Sequence, residues 1–168
     1  APNRDVAVKR LISQTPILSR ALLEEAMTMG ALEHPNIIPV HSVRVSSEYG
    51  PEVIMKRVDG DNMKTLLGGS PLTNDGLKNG LKVLIQVCHA VEFAHSKGII
   101  HRDIKPENIM IGTFGETYLL DWGIALHKKA PPSLNTIVGT PAYMAPEMLK
   151  KNSDLIDERT DVFLLGAT

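Results

Sequence analysis

The chain has 168 residues, 18 Lys plus Arg against 19 Asp plus Glu, a formal net charge of -1, and a hydrophobic share of 43%. That length suits about one domain of ~100–200 residues, and the apolar share supports a buried core rather than disorder. Near neutrality excludes bulk attraction to nucleic acid or to an anionic membrane surface, so any phosphate binding must be local.

The N-terminal "APNRDVAVKR" has neither an initiating Met nor a secretory apolar region. No apolar stretch approaches the ~18 residues that span a bilayer, so a cytoplasmic protein is expected, with a membrane anchor only if one lies outside this chain. "DVAVKRL" (5–11) alternates and reads as a strand with Ala7 and Lys9 on one face. From Ser19 to Leu32 the pattern is helical, with Ser19 as cap and Leu22, Ala26 and Met29 on one stripe. Glu25 lies on that stripe too. It either pairs inward with a cation or sits at the stripe's edge in water, since an unpaired buried carboxylate is costly.

After "HPNIIPV" the sequence predicts strands around Val40–Val45 and Val53–Val58, separated by the turn segment "SSEYGPE". "DGDNMKTLLGGSPLTNDG" reads as a Gly-rich connector, followed by a helix from Gly76 to Lys97 that Gly98 stops. Leu77, Leu81, Leu84, Cys88, Val91 and His95 fall on one face of it. Cys88, the only cysteine, excludes an intrachain disulfide and reads as a small core residue. His95 reads as a histidine at the core's edge.

The apolar runs "GII" and "IMI" flank "HRDIKPEN" (101–108) and tie both ends of this polar loop to the core. "NIMIG" and "TYLLD" suit a hairpin joined by "TFGE", which brings Asn108 close to Asp121. Their oxygens suit Mg²⁺, which takes one or two protein ligands and fills its shell with water and phosphate. Asp103 on the same rim can accept a proton from a hydroxyl, and Lys105 can neutralise a transferred phosphoryl group. The arrangement reads as phosphoryl transfer.

With these motifs in order, the chain resembles the eukaryotic-type protein kinase family, most of all the bacterial Ser/Thr kinases. "HRDIKPEN" matches its catalytic loop, "DWG" (121–123) stands where Asp-Phe-Gly is usual, "APE" (145–147) closes the activation segment, and "VAVK" (6–9) carries the ATP-binding Lys. The resemblance implies an α+β, two-lobe kinase-like fold. Residues 1–58 would be a partial small lobe with the Lys strand, pairing helix and hinge, and residues 59–168 a partial helical lobe. It implies that Lys9 contacts ATP phosphates and pairs with Glu25, and that Asp103 is the base, supported by Lys105 and Thr140. Asn108 and Asp121 would hold Mg²⁺. Ala7 and Met110 would sandwich adenine, Met55 would be the gatekeeper, and Lys56 to Val58 the hinge. Lys105-Pro106 and "GTPAYMAPE" (139–147) are of the Ser/Thr type, so the partners implied are ATP and proteins bearing Ser or Thr hydroxyls.

The resemblance also implies that Arg102 receives an activation-segment phosphate on Thr136 or, second, Ser133. Asp161 in "TDVFLLG" would brace the catalytic loop, and Trp122 would pack beneath the Glu25 helix near Met29 and His101. Gly123 would give backbone freedom, and Glu147 would lack its usual Arg partner. No Gly-x-Gly-x-x-Gly precedes "VAVK", so a truncated domain with little activity by itself is expected. Val162, Leu164 and Leu165 would be partly uncovered, inviting a homodimer. The rival readings are a pseudokinase scaffold, opposed by the full set Lys9, Glu25, Asp103, Asn108 and Asp121, and a small-molecule phosphotransferase, opposed by His101-Arg102-Asp103 and by residues 139–147.

Overall fold

Strand β1 (Val6–Arg10) pairs antiparallel with β3 (Gly50–Lys56), which pairs on its other edge with β2 (Val40–Ser46), in the order β1-β3-β2. The computed structural model describes residues 4–68, 73–128, 137–150 and 152–168, and it has an α+β composition. Alternation along β1 leaves Ala7 and Lys9 half-buried and Val6, Val8 and Arg10 exposed. Register aligns Arg10, Glu52 and Arg44 across the sheet, and Glu52, 1% exposed, sits between the two guanidinium groups at 2.5 Å from each. The hydrogen bond from Arg44 holds its carboxyl below the usual range. Such cross-strand triads are invisible until the register is known.

Helix α1 (Pro16–Ala31) covers the sheet, burying Leu22 and Ala26 with Val53. Its cap is Thr15 rather than Ser19: Thr15 Oγ1 accepts from the Leu18 amide at 3.2 Å, and Pro16 suits a first-turn position that needs no amide. The predicted connector is also more structured than expected. It contains β4 (Gly60–Asn62) and a short helix α2 (Met63–Leu67), capped where Asn62 Oδ1 accepts from the Thr65 amide at 2.9 Å.

Helix α3 (Asn74–Ser96) runs to Gly98, whose φ of +74° lets the chain turn away. It buries Val87, Ala90, Val91 and Ala94, whereas Leu77 and Leu81 are each 51% exposed and Cys88 is exposed. The reading of Cys88 as a core residue is therefore corrected, and of the predicted face Leu77 and Leu81 also lie outside, while Val91 is buried and Leu84 packs against the core. Helix α3 meets β5 (Ile99–Ile100), β7 (Thr117–Leu119) and α4 (Glu158–Ala167), with Val83 and Leu84 packing against the same core.

A second sheet has the order β4-β6-β7, with β6 (Ile109–Gly112) in its centre, and β5 pairs with β8 (Leu126–His127). One apolar cluster, including Ile37, Ile100, Ile104, Leu119 and Leu164, surrounds the loop 101–108. Leu164 is thus buried, contrary to expectation, and Leu165 packs against the cluster, while Val162 is 61% exposed.

Candidate active site

The loop 101–108 is held by a buried carboxylate beneath it. Asp161, fully buried on α4, accepts the His101 amide at 2.8 Å and the Arg102 amide at 2.9 Å, and shares a 2.8 Å hydrogen bond with His95 Nε2. Those bonds stabilise Arg102 at φ +68°, a left-handed conformation that costs a non-glycine residue about 1–2 kcal/mol. His95, read from sequence as a histidine at the core's edge, lies there and also hydrogen-bonds to this brace. The i, i+4 relation to Val91 on the buried face was the available signal, and it did not distinguish a packed ring from a bonded one.

His101 is fully buried, and its tautomer follows from its partners. Nδ1 accepts from the Asp103 amide at 3.1 Å, so Nε2 carries the proton and donates to the Leu120 carbonyl at 3.0 Å. Both nitrogens are satisfied in the neutral ring, and burial pushes its pKa down, outweighing the opposing pull of Asp161.

Asp103 stands at the centre of a closed set of hydrogen bonds. Its Oδ1 accepts from Thr140 Oγ1 at 2.7 Å, and its Oδ2 accepts from Lys105 Nζ at 2.6 Å and from Asn108 Nδ2 at 3.0 Å. Lys105 Nζ also donates to Thr140 Oγ1 at 2.7 Å. The activation segment is thereby fastened to the loop 101–108 across a sequence gap of 37 residues. Asn108 spends its amide on Asp103, donating also to the Asp103 backbone carbonyl at 2.8 Å, and its side-chain oxygen is not used in either bond.

The hairpin β6–β7 carries Asp121 to the same place, with Leu120 donating to the Asn108 carbonyl at 2.9 Å. Asp121 is half exposed and lies 3.5 Å from Lys9 Nζ, which in turn donates to both oxygens of the buried Glu25, at 2.6 and 2.8 Å. The strained turn is at Asp121 itself, φ +61°, and not at Gly123. Gly123 matters for another reason: a Cβ there would meet Glu25 Oε2 at 3.3 Å and Asp121 Oδ1 at 3.4 Å, so its bareness lets the carboxylates approach. Trp122 is 1% exposed and meets His101 edge-on, with ring centroids 4.5 Å apart.

Oxygen donors at Asn108 and Asp121 fit Mg²⁺. Such an ion takes one or two protein ligands and completes its shell with phosphate and water, and among the described residues no group of three His, Cys, Asp or Glu could hold a metal. Around this centre, Ala7 faces Met55 across β1 and β3, Lys56 ends β3, Val58 follows just beyond it, and Met110 lies on β6. The predicted strand at 53–58 thus closes at Lys56. Glu107 pairs with Lys64 of α2 at 2.6 Å, and that hydrogen bond holds its carboxyl below the usual range.

Farther from the centre, Arg102 donates Nε to the Ile124 carbonyl at 2.6 Å and lines a cavity of about 660 Å³ between α1 and residues 122–127. Thr28 Oγ1 on α1 bonds His127 Nε2 at 2.9 Å across that cavity's rim. Thr136 and Ser133 lie outside the described residues. Glu147, expected to lack its usual Arg partner, accepts a hydrogen bond from the Thr160 hydroxyl at 2.7 Å.

The model of the protein kinase domain family matches residues 1–168. The chain is 35% identical to the serine/threonine-protein kinase PknD of Protochlamydia amoebophila (strain UWE25), over 97% of this chain and 20% of that protein. It is 35% identical to PknD of Chlamydia caviae, over 98% of this chain and 21% of that one. With PknD of Chlamydia muridarum the figures are 34%, 99% and 21%. The chain therefore spans about a fifth of the length of these curated relatives.

Proposed function

The chain belongs to the protein kinase domain family, and from that premise we propose that the protein containing it transfers the γ-phosphoryl group of ATP to Ser or Thr hydroxyls of other proteins. The observation that carries this reading is the bonded set Asp103, Lys105, Thr140 and Asn108, since it fixes both oxygens of one carboxylate beside a cation. Asp103 orients the incoming hydroxyl and accepts its proton as the oxygen attacks phosphorus. Lys105 offsets charge on the transferred group, and Thr140 holds the activation segment against Asp103. Lys9, steadied by Glu25, binds the α- and β-phosphates. Asn108 and Asp121 would hold Mg²⁺, which when bound neutralises phosphate charge.

On this reading residues 1–58 and 59–168 are parts of the two lobes, and adenine lies between Ala7 and Met110 against the backbone of 56–58, with Met55 behind it. Arg102 faces a phosphate on Thr136 or Ser133, which would order the activation segment, while His101, Trp122, Gly123, Glu147 and Asp161 support the frame. The partners are ATP and Ser/Thr-bearing proteins, with a second copy of the chain on the exposed Val162 surface as a further candidate. Among the described residues no helix is long and apolar enough to cross a membrane, and a cytoplasmic site of action is part of the proposal.

The pseudokinase alternative lacks support, because no member of the phosphoryl-transfer set is substituted. The test is transfer of labelled phosphate from ATP to a generic basic Ser/Thr substrate by the full-length protein and by Asp103→Asn. Loss of a proton acceptor of this kind costs about 10²–10⁴-fold. Equal transfer by both proteins, or none by either, would falsify the assignment.

A further inference from the structure

Lys56 and Tyr118 form a contact that none of the roles above requires. The Lys56 ammonium donates to the Tyr118 hydroxyl and lies 4.6 Å from the centroid of the same ring. Tyr118 is 7% exposed, so its hydroxyl depends on a protein partner, and an ammonium, which can only donate, gives that oxygen a charge-assisted bond. The ring face adds a cation–π attraction.

The position of this contact gives it meaning. Tyr118 stands directly opposite Met110 in the β6–β7 register, and residues opposite each other in an antiparallel pair project to the same face. Lys56 is the last residue of β3, and its backbone begins the segment 56–58. Its own amide donates to the Pro39 carbonyl at 3.0 Å. Asn36, three residues earlier, is fastened to β7 from both sides: its Nδ2 donates to the Thr117 carbonyl at 3.0 Å, and its carbonyl accepts from the Leu119 amide at 2.8 Å. Lys56, Pro39, Asn36 and Tyr118 thus close a ring that joins the end of the first sheet to the hairpin carrying Met110.

We infer that Lys56 and Tyr118 are positioning residues for nucleotide binding, locking the backbone of residues 56–58 at a fixed distance from the Met110 floor of the base slot. The inference rests on the kinase reading of that slot. A lysine stem has many rotatable bonds, and anchoring its end on a buried phenol removes that freedom before nucleotide arrives, which is how preorganisation raises affinity. Phosphoryl transfer depends on Asp103, Lys105 and Lys9, none of which touches the tie, so its loss falls on binding rather than on the chemical step.

The experiment is titration of the full-length protein with ATP and with ADP, by calorimetry, for wild type, Tyr118→Phe, Lys56→Met, the double variant and Lys56→Arg. The expected result is a rise of about tenfold in the dissociation constant for each single variant, with no further rise in the double, because one interaction has been removed. Lys56→Arg, which keeps the charge and a donor, should recover most of the affinity. In transfer assays the change should appear in the KM for ATP and not in kcat. Tyr118→Phe keeps the ring and its packing, so it remains informative if Lys56→Met unfolds. A wild type that binds nucleotide while Tyr118→Phe binds it equally well overturns the positioning role alone, as does strict additivity of the two changes. A wild type that binds no nucleotide overturns the kinase reading and this inference with it.

Discussion

The loop 101–108 carries His, Arg, Asp, Lys, Glu and Asn, yet His101, Asp103 and Asn108 are buried, whereas Leu77, Leu81 and Ile85 on α3 are 51%, 51% and 56% exposed. The polar segment can be interior because its hydrogen-bonding groups find partners: Asp161 takes the amides of residues 101 and 102, and His101 uses both nitrogens. Burying polar groups is cheap only when they are so paired. The apolar stripe stays outside for the opposite reason. The buried residues of α3 are Val87, Ala90, Val91 and Ala94, and exposed side chains such as Leu77, Leu81 and Ile85 gain nothing from periodicity. Interior position is decided by partners rather than by the polarity of the stretch.

Removing the partner should break the contrast most strongly. Asp161→Ala leaves buried amides of residues 101 and 102 and the His95 ring without their acceptor, a loss of the order of 3–5 kcal/mol by analogy with broken buried networks. The expected outcome is a large drop in the unfolding midpoint by calorimetry, with phosphoryl transfer abolished.

A moderate effect is expected from acid. The pKa of His101 is lowered in the fold by burial, so the unfolded chain binds the proton more readily. Stability is then fully present above the unfolded value of about 6.5 and declines as pH falls below it, by at most ~1.4 kcal/mol per pH unit for one site. The lowered carboxyls Glu107, Asp157 and Glu158 lose their contribution only as pH falls from the ordinary carboxylate range through their lowered values, below the pH 5–7 window of the histidines. His34, whose pKa burial also lowers, adds a slope of the same sign. Chemical denaturation between pH 7 and 5 checks this. His101→Gln should be less stable at pH 7 and should show a shallower slope; an unchanged slope would show that the ring does not titrate with folding.

The smallest effect belongs to α3. Leu81→Gln should change the stability of the 168-residue chain by no more than about 0.5 kcal/mol, as exposed substitutions do. A much larger loss in the full-length protein than in the 168-residue chain, measured by the same denaturation, would mean that some other part of the protein covers this face.

Much of the site was legible in the order of residues. The hairpin reading brings Asn108 to Asp121, because strand alternation is a local property of a few residues, whereas the pairing of Lys9 with Glu25 came only from the family resemblance, since helical spacing left Glu25 open between an inward partner and water. What stayed hidden depends on register or on distant partners. Ser19 looked like a cap because the apolar stripe from Leu22 onward was the visible start of the helix, one turn after its real cap at Thr15. Cys88 looked interior because a lone free cysteine usually packs as a small core residue. Asp121, not Gly123, adopts the left-handed backbone, a conformation that Asp visits more readily than most residues but less readily than the Gly two positions on, which is why Gly123 was the residue singled out. His95 and Tyr118 gained partners 66 and 62 residues away.

From the sequence alone came the family resemblance, the strand and helix order around "HRDIKPEN", and the residue types needed for phosphoryl transfer, since each is written in short spacings. Tertiary structure decided which of those groups are buried, which tautomer His101 holds, how Arg10, Glu52 and Arg44 meet, and how Lys56 is tied to Tyr118. These depend on contacts between residues far apart in the chain, and the free energy of a polar group is set by whichever partner arrives there.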